Sequence, residues 1–248
     1  YIHQILSLVL LVVSDHVVVH SKRIFLNVPA YIRSYAHGKM TFVPHGSLER
    51  FYKRLRPEPV VGIDAWMDGQ FRYAMIGGIR RNKEIAAIIS AFKALTTSYK
   101  STLLIMGLSG DDRYYELLLK MRGGDKRITI SNQSLSDSQI KYLHTLSSVI
   151  VFGPCIYPTS GAMETACSFP LAIVAYANSY IDELEKQLAN PLILKYRNAT
   201  DDLRAQLTKA ITWQYARHDC SGNEAVNIHD FPFDANLWQI YKTIYPCD

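Results

Sequence analysis

Paired cysteines are missing from this chain. Its four cysteines, Cys155, Cys167, Cys220 and Cys247, are widely spaced and form no C-x-x-C, so neither a zinc site nor a disulfide framework is indicated and a reducing cytoplasm is the simpler setting. Long hydrophobic runs are missing too. The strongest, Ile5–Val13, is too short to span a bilayer and is followed at once by Asp15 and His16. It lacks the basic flank and small-residue cleavage site of a signal peptide and reads as a buried helix. Charge of one sign does not dominate: Lys+Arg 27 against Asp+Glu 22 leaves a formal +5. That mild excess suits an anionic small ligand or peripheral contact with an anionic membrane surface. No basic stripe interleaved with aromatics points to nucleic acid. Internal repeats and low-complexity segments are absent. No G-x-G-x-x-G follows a strand pattern, which argues against a dinucleotide-dependent oxidoreductase.

What remains has the balance of a globular protein. In 248 residues, 48% are hydrophobic and 20% charged, enough for a sizeable core. The chain starts at Tyr1 rather than Met, inside what reads as a secondary-structure element, and a missing upstream part is expected. Strand patterns at His16–His20 and Met40–Val43 come first, the second running into the turn Pro44-His45-Gly46-Ser47. The charged, proline-containing stretch Lys53–Pro59 reads as a linker. Beyond it, Phe71–Ile76, Leu103–Met106, Arg127–Ile130, Val149–Phe152 and Leu171–Ala175 read as strands. Helical patterns separate them, one carrying Ile85, Ile88, Ile89, Phe92 and Leu95 at helical spacing, others over Tyr114–Met121 and Ser136–Leu146. Asp201–Ile211 and Asn236–Tyr245 read as further helices. Alternation of this kind predicts an α/β fold with a doubly wound parallel sheet and ligand sites at the carboxyl ends of its strands.

Two such ends carry chemistry. Gly77-Gly78 close the first of these strands and lead into Ile79-Arg80-Arg81-Asn82-Lys83, a basic loop. Pro158-Thr159-Ser160 supplies turn and cap residues before helix formers take over at Ala162–Ala166. A helix starting at Ser160-Gly161 aims unpaired N–H groups and its positive dipole end into the loop, and Gly161 removes a side chain that would hold a phosphate off. Glu164 lies one turn inside, within reach of a sugar hydroxyl attached to that phosphate. Arg80 and Lys83 from one loop and the helix end from the other could converge on one diphosphate. Taken singly, the first loop reads equally as a solvated charge cluster and the second as an ordinary capped helix. His20 and His45 read as partly buried histidines satisfied by backbone, a reading preferred for His20.

In order along the chain, Val18-Val-His-Ser21, Val43-Pro-His-Gly46, Ile76–Lys83 with Ala91-Phe92, Leu103–Gly107, and Thr159–Ala166 with Phe169-Pro170 resemble landmarks of family 4 glycosyltransferases, enzymes built from two Rossmann-like domains in the GT-B fold. The resemblance covers most of the chain and implies the donor-binding half. It divides the chain into the end of an acceptor domain (1–55), a nucleotide-sugar-binding Rossmann-like domain (56–232) and a crossover helix (233–248). It implies that Gly77, Gly78, Arg80 and Lys83 contact the donor diphosphate, that Ser160, Gly161 and Ala162 hold its phosphates, and that Glu164 binds the ribose. The sequence departs from the family's pattern at Gly78, where many members carry arginine and where Arg80 is expected to substitute, with Arg81 able to share that load. It departs again at Ile156, where many carry an acidic residue that serves the donor sugar. The expected activity is retaining, metal-independent transfer of a hexose from a nucleotide-diphosphate sugar to a sugar or lipid-linked acceptor, with no cofactor and with the catalytic base upstream of this chain. The alternative is a non-catalytic nucleotide-sugar-binding or regulatory module.

Overall fold

The structure, a computed structural model, describes residues 9–19, 34, 38–42, 48–97, 99–154, 160–187, 192–198 and 201–219. Its largest feature is a six-stranded, wholly parallel sheet. The strands are β3 (Phe71–Ile76), β4 (Ser101–Gly107), β5 (Ile128–Asn132), β6 (Val149–Val151), β7 (Ala172–Tyr176) and β8 (Leu192–Tyr196), in the order β5-β4-β3-β6-β7-β8. A separate two-stranded parallel ladder joins β1 (Val17–Val19) to β2 (Met40–Phe42), with Val17 opposite Met40.

Burial on both faces explains why the inner strands β4, β6 and β7 are buried along nearly their whole length, while the edge strand β5 alternates. Along β3 the side chains divide with a period of two. Phe71, Tyr73 and Met75 enter one core cluster with residues of α3 (Ile85–Lys93), α4 (Asp112–Arg122) and α8 (Asp201–Asp219). Ala74 and Ile76 enter the other, with α1 (Glu49–Arg54), α2 (Asp64–Met67), α5 (Asp137–Leu146), α6 (Gly161–Ala166) and α7 (Ser179–Gln187). The helical spacing read in the sequence becomes the buried face of α3: Ile85, Ile88, Ile89 and Phe92 are at most 1% exposed. Burying each such side chain contributes roughly 1.5–3 kcal/mol. Local signals agree with the core. Ser136 and Gln139 form a reciprocal capping box at the start of α5. Asp111 caps α4 by accepting from the Tyr114 N–H, and Gly123, at φ +57, ends it.

The sheet is doubly wound, and its order reverses between β3 and β6, which pair through Tyr73↔Val149 and Ala74↔Ile150. In open α/β sheets the crevice beyond the strand ends at this reversal is where ligands bind. Gly77 leaves β3 and Gly153 follows β6 at that position.

Residues Lys53–Pro59 are not a free tether. Tyr52 and Val60 are buried in the second cluster, Lys141 Nζ donates to the Leu55 carbonyl at 2.9 Å, and the Glu58 N–H bonds the Ser138 carbonyl at 3.3 Å. At His144 on α5, burial pushes the imidazole down to about 4, so it stands neutral, stacked on Phe169 at 4.7 Å. One expectation is corrected here. The described part of Ile5–Val13, residues 9–13, is helical, but only Leu11 is buried, while Val9, Leu10, Val12 and Val13 are 51–69% exposed. Consecutive apolar residues wrap the whole circumference of a helix, and a short turn beside a two-stranded layer buries only one direction of it. No helix among the described residues is long and apolar enough to cross a membrane. His20, Pro44–Gly46, Cys155, Ile156, Thr159, Cys220, Cys247 and the 236–245 helix lie outside the described residues.

Candidate functional site

The β3 end is built around three glycines that permit close backbone approach. Gly77 adopts φ +122, a conformation that side chains resist, and its N–H bonds the Met106 carbonyl at 2.9 Å. A Cβ on Gly107, the last residue of β4, would sit 2.2 Å from the Gly77 carbonyl oxygen. A Cβ on Gly153 would sit 1.7 Å from the Lys83 carbonyl oxygen. The backbone of the basic loop thus lies directly on the strand that follows in the sheet order.

This approach brings two predicted loops together. From the point where a Gly77 Cβ would stand, Lys83 Nζ is 3.4 Å away and the Ala162 Cβ is 3.5 Å away. The ammonium of the first loop and the opening turn of α6 therefore flank one glycine. The second predicted cation lies alongside: Arg80 Nε is 3.4 Å from where a Gly78 Cβ would be. The missing side chain at 78 leaves the space that the Arg80 guanidinium occupies, and Arg80 itself is exposed.

Arg81 behaves differently from Arg80, being engaged with neighbouring side chains. Its Nε donates to Asp111 Oδ2 at 2.7 Å and its guanidinium lies 5.2 Å over the Tyr114 ring. The Arg81 guanidinium holds the Asp111 carboxyl below the usual carboxylate range. Tyr114 in turn accepts the Ile85 N–H at 3.1 Å, and the Ser109 N–H bonds Asn132 Oδ1 at 2.8 Å. These bonds tie the loops after β3, β4 and β5 into one wall. Between Arg81–Lys83, which form a single 3₁₀ turn, and α3, Glu84 sits at φ 43, ψ 44. A non-glycine residue held in this region stores strain of about 1–3 kcal/mol, a pattern that clusters at ligand clamps.

An open cleft of about 750 Å³ runs along this wall. It is lined by Gly77–Asn82 on one side and by Leu108, Asp111, Gln133 and Leu135 on the other. Within it the Asn82 Oδ1 is buried and has no hydrogen-bond partner.

At the β6 end, α6 starts as the sequence suggests. Ser160 is the cap, its hydroxyl accepting the Met163 N–H at 3.4 Å. A Cβ on Gly161 would meet nothing within 4 Å. Glu164 is one turn in, partly buried, and is not among the residues lining the cleft. Its Oε1 accepts from the Tyr180 hydroxyl at 3.0 Å, and that same hydroxyl accepts the Ser160 N–H at 3.3 Å. The Ser160 amide is thereby directed at Tyr180. At Cys167, just beyond α6, burial and the Glu164 charge push the thiol up to about 12, which disfavours the thiolate. Among the described residues no three of His, Cys, Asp and Glu cluster as a metal site would require. Sequence reasoning missed Gly153, Asp111 and Tyr180. A signal for the first was present, since β3, β4 and β6 each run into a glycine.

No family model and no curated protein matches the sequence. Solved structures do match in shape. HepE from Anabaena, solved in complex with UDP and glucose, aligns at TM-score 0.62 with 14% identity, covering 81% of this chain and 55% of that one. A sucrose-phosphate synthase from Thermosynechococcus elongatus aligns at 0.62 with 17% identity, covering 98% and 62%. The chain has the Rossmann-like fold of a GT-B domain. A Listeria monocytogenes protein described as a UDP-N-acetylglucosamine 2-epimerase shares it at 0.54, with 13% identity over 81% and 52%. The chain spans 52–62% of the length of these proteins.

Proposed function

We propose that this chain is the nucleotide-sugar-binding half of a glycosyltransferase, which moves a hexose from a nucleotide-diphosphate donor with retention of configuration. The observation that carries the reading is the convergence at Gly77, where Lys83 Nζ and the first turn of α6 flank a glycine at the switch point of the sheet. Lys83 and Arg80 would neutralise the diphosphate, with charge-assisted contacts stronger than neutral ones. The N–H groups of Gly161 and Ala162 would meet the phosphate at the dipole end of α6. Glu164 would accept from the ribose, and the cleft beyond Gly78 is roomy enough for the base. As the sugar leaves, the same cations would offset charge building on the departing diphosphate. Support comes from the solved proteins of this fold: HepE is described in complex with UDP and glucose, and another bears the name sucrose-phosphate synthase.

The acceptor and the base are expected on a second domain, because a donor held on one side needs an oriented nucleophile opposite it. Titration of the chain with UDP-glucose and a panel of other nucleotide sugars tests the binding half of the reading, with and without chelator. Release and transfer of sugar by the chain, compared with one extended upstream by a full domain, tests the catalytic half. Saturable binding unaffected by chelator, with turnover only in the extended form, is expected. Binding without turnover in both forms identifies a non-catalytic module, inversion of the sugar's epimeric centre identifies an epimerase, and absence of nucleotide binding overturns the reading altogether.

A further inference from the structure

Tyr180 packs in the core of α7 at 3% exposure, yet it carries a hydroxyl that packing alone does not require. A phenylalanine would fill the same volume. The hydroxyl instead joins two groups of the candidate site, donating to Glu164 Oε1 at 3.0 Å and accepting the Ser160 N–H at 3.3 Å. We propose that Tyr180 is a positioning residue: its hydroxyl aims the Glu164 carboxylate at the ribose and fixes the entry of α6 before the nucleotide arrives. The inference rests on the reading of Glu164 given under Proposed function.

Geometry favours this role over a merely structural one. Glu164 stands on a helix of six residues, Gly161–Ala166, too short to be rigid by itself. Tyr180 stands on a firmer base. Asn178 caps α7 by accepting the Ile181 N–H at 3.1 Å, and Ile181 and Leu184 are buried beneath it. Adjacent parallel strands β6 and β7 bring the two helix starts side by side, Val151 lying opposite Val174. The direction of the bond is also set. Burial and the neighbouring Glu164 charge raise the Tyr180 phenol well above its ordinary value, so the proton stays on the oxygen through the neutral range. A hydroxyl has one proton, and it goes to the carboxylate at 3.0 Å rather than to the Ser160 carbonyl at 3.5 Å. The Ser160 N–H is consumed in this arrangement, so the phosphate-facing amides are those of Gly161 and Ala162.

The test is calorimetric titration of wild-type chain, Tyr180→Phe, Glu164→Gln and the double variant with UDP and with its 2′- and 3′-deoxy analogues. Tyr180→Phe keeps the ring and the volume, so the fold is expected to survive, as a thermal melt will show. UDP affinity should fall about tenfold, the loss expected for a hydrogen bond to a charged group. The preference for UDP over its deoxy analogues should fall with it, and the double variant should bind no more weakly than Glu164→Gln alone. A purely structural tyrosine would weaken all the nucleotides equally. Wild-type ribose preference in Tyr180→Phe, or losses that simply add in the double variant, overturns the inference and leaves the site reading standing. If wild-type chain binds no nucleoside diphosphate, the site reading falls and this inference falls with it.

Discussion

The ends of β3 and β6 meet at Gly77, yet the structure holds them by opposite means. The β3 loop is fixed by backbone. Its carbonyl at Lys83 rests where a Gly153 side chain would be, its N–H groups at Gly77 and Ile79 bond the Met106 and Leu108 carbonyls, and Arg81 is anchored to Asp111. At the β6 end the described residues are tied by side chains, the Ser160 hydroxyl capping α6 and the Tyr180 hydroxyl bonding both Glu164 and the Ser160 N–H. Substitutions are tolerated differently on the two sides: a Cβ at Gly107 or Gly153 would strike backbone, whereas one at Gly161 meets no neighbouring element and the start of α6 depends instead on its hydrogen bonds.

The largest effect is expected at Gly153. Gly153→Ala drives a Cβ into the Lys83 carbonyl, a backbone group that cannot swing aside, and should cost about 3 kcal/mol or more of stability, at the upper end of overpacking. Denaturant unfolding measures it. Stability unchanged within error would mean that the β3 loop is not seated on β6.

Intermediate effects separate the two arginines. Arg80→Ala should weaken binding of nucleoside diphosphates by about 1.5–3 kcal/mol, the range for charge-assisted hydrogen bonds, and leave the melting temperature alone. Arg81→Ala should do the reverse, lowering the melting temperature slightly because the Asp111 pair is exposed, with little direct loss of diphosphate affinity. Paired titrations and melts of the two variants decide it. Equal behaviour would erase the distinction drawn between them.

That distinction also marks how far the sequence can be read. The apolar runs that became β3 to β7 were legible, three of them running into glycine, and the winding follows from the helices between them, whereas β8 (Leu192–Tyr196) was not read from the sequence. The capped start of α6 is legible because Ser160, Gly161 and Ala162 carry the signal locally. Asp111 and Tyr180 were not legible. Their roles depend on which strands become neighbours, and Arg81–Asp111 spans 30 positions with no periodicity to announce it. The apolar run 9–13 misleads for the complementary reason: hydrophobicity says a helix can be buried, but only the neighbouring elements say whether it is.

The smallest effect is expected at Gly161. Gly161→Ala places a Cβ where nothing outside its own chain neighbours and helix backbone lies within 4 Å, and in a helix alanine is favoured over glycine by up to about 1 kcal/mol. Stability should hold or rise slightly while affinity for UDP falls, since the new methyl occupies the path of the phosphate. A melt and a titration on one sample read both. Unchanged affinity would move the phosphate away from the α6 start.

If the two strand ends grip one diphosphate, Lys83 is the residue whose loss should show it. The measurement is the affinity of wild type and Lys83→Ala for UDP and for uridine, repeated with ADP and adenosine to cover the base. The diphosphate should lose about tenfold or more, a charge-assisted contact of about 1.5–3 kcal/mol, while the nucleoside is little changed. Equal losses for nucleoside and diphosphate, or no preference for the diphosphate in wild type, would contradict it.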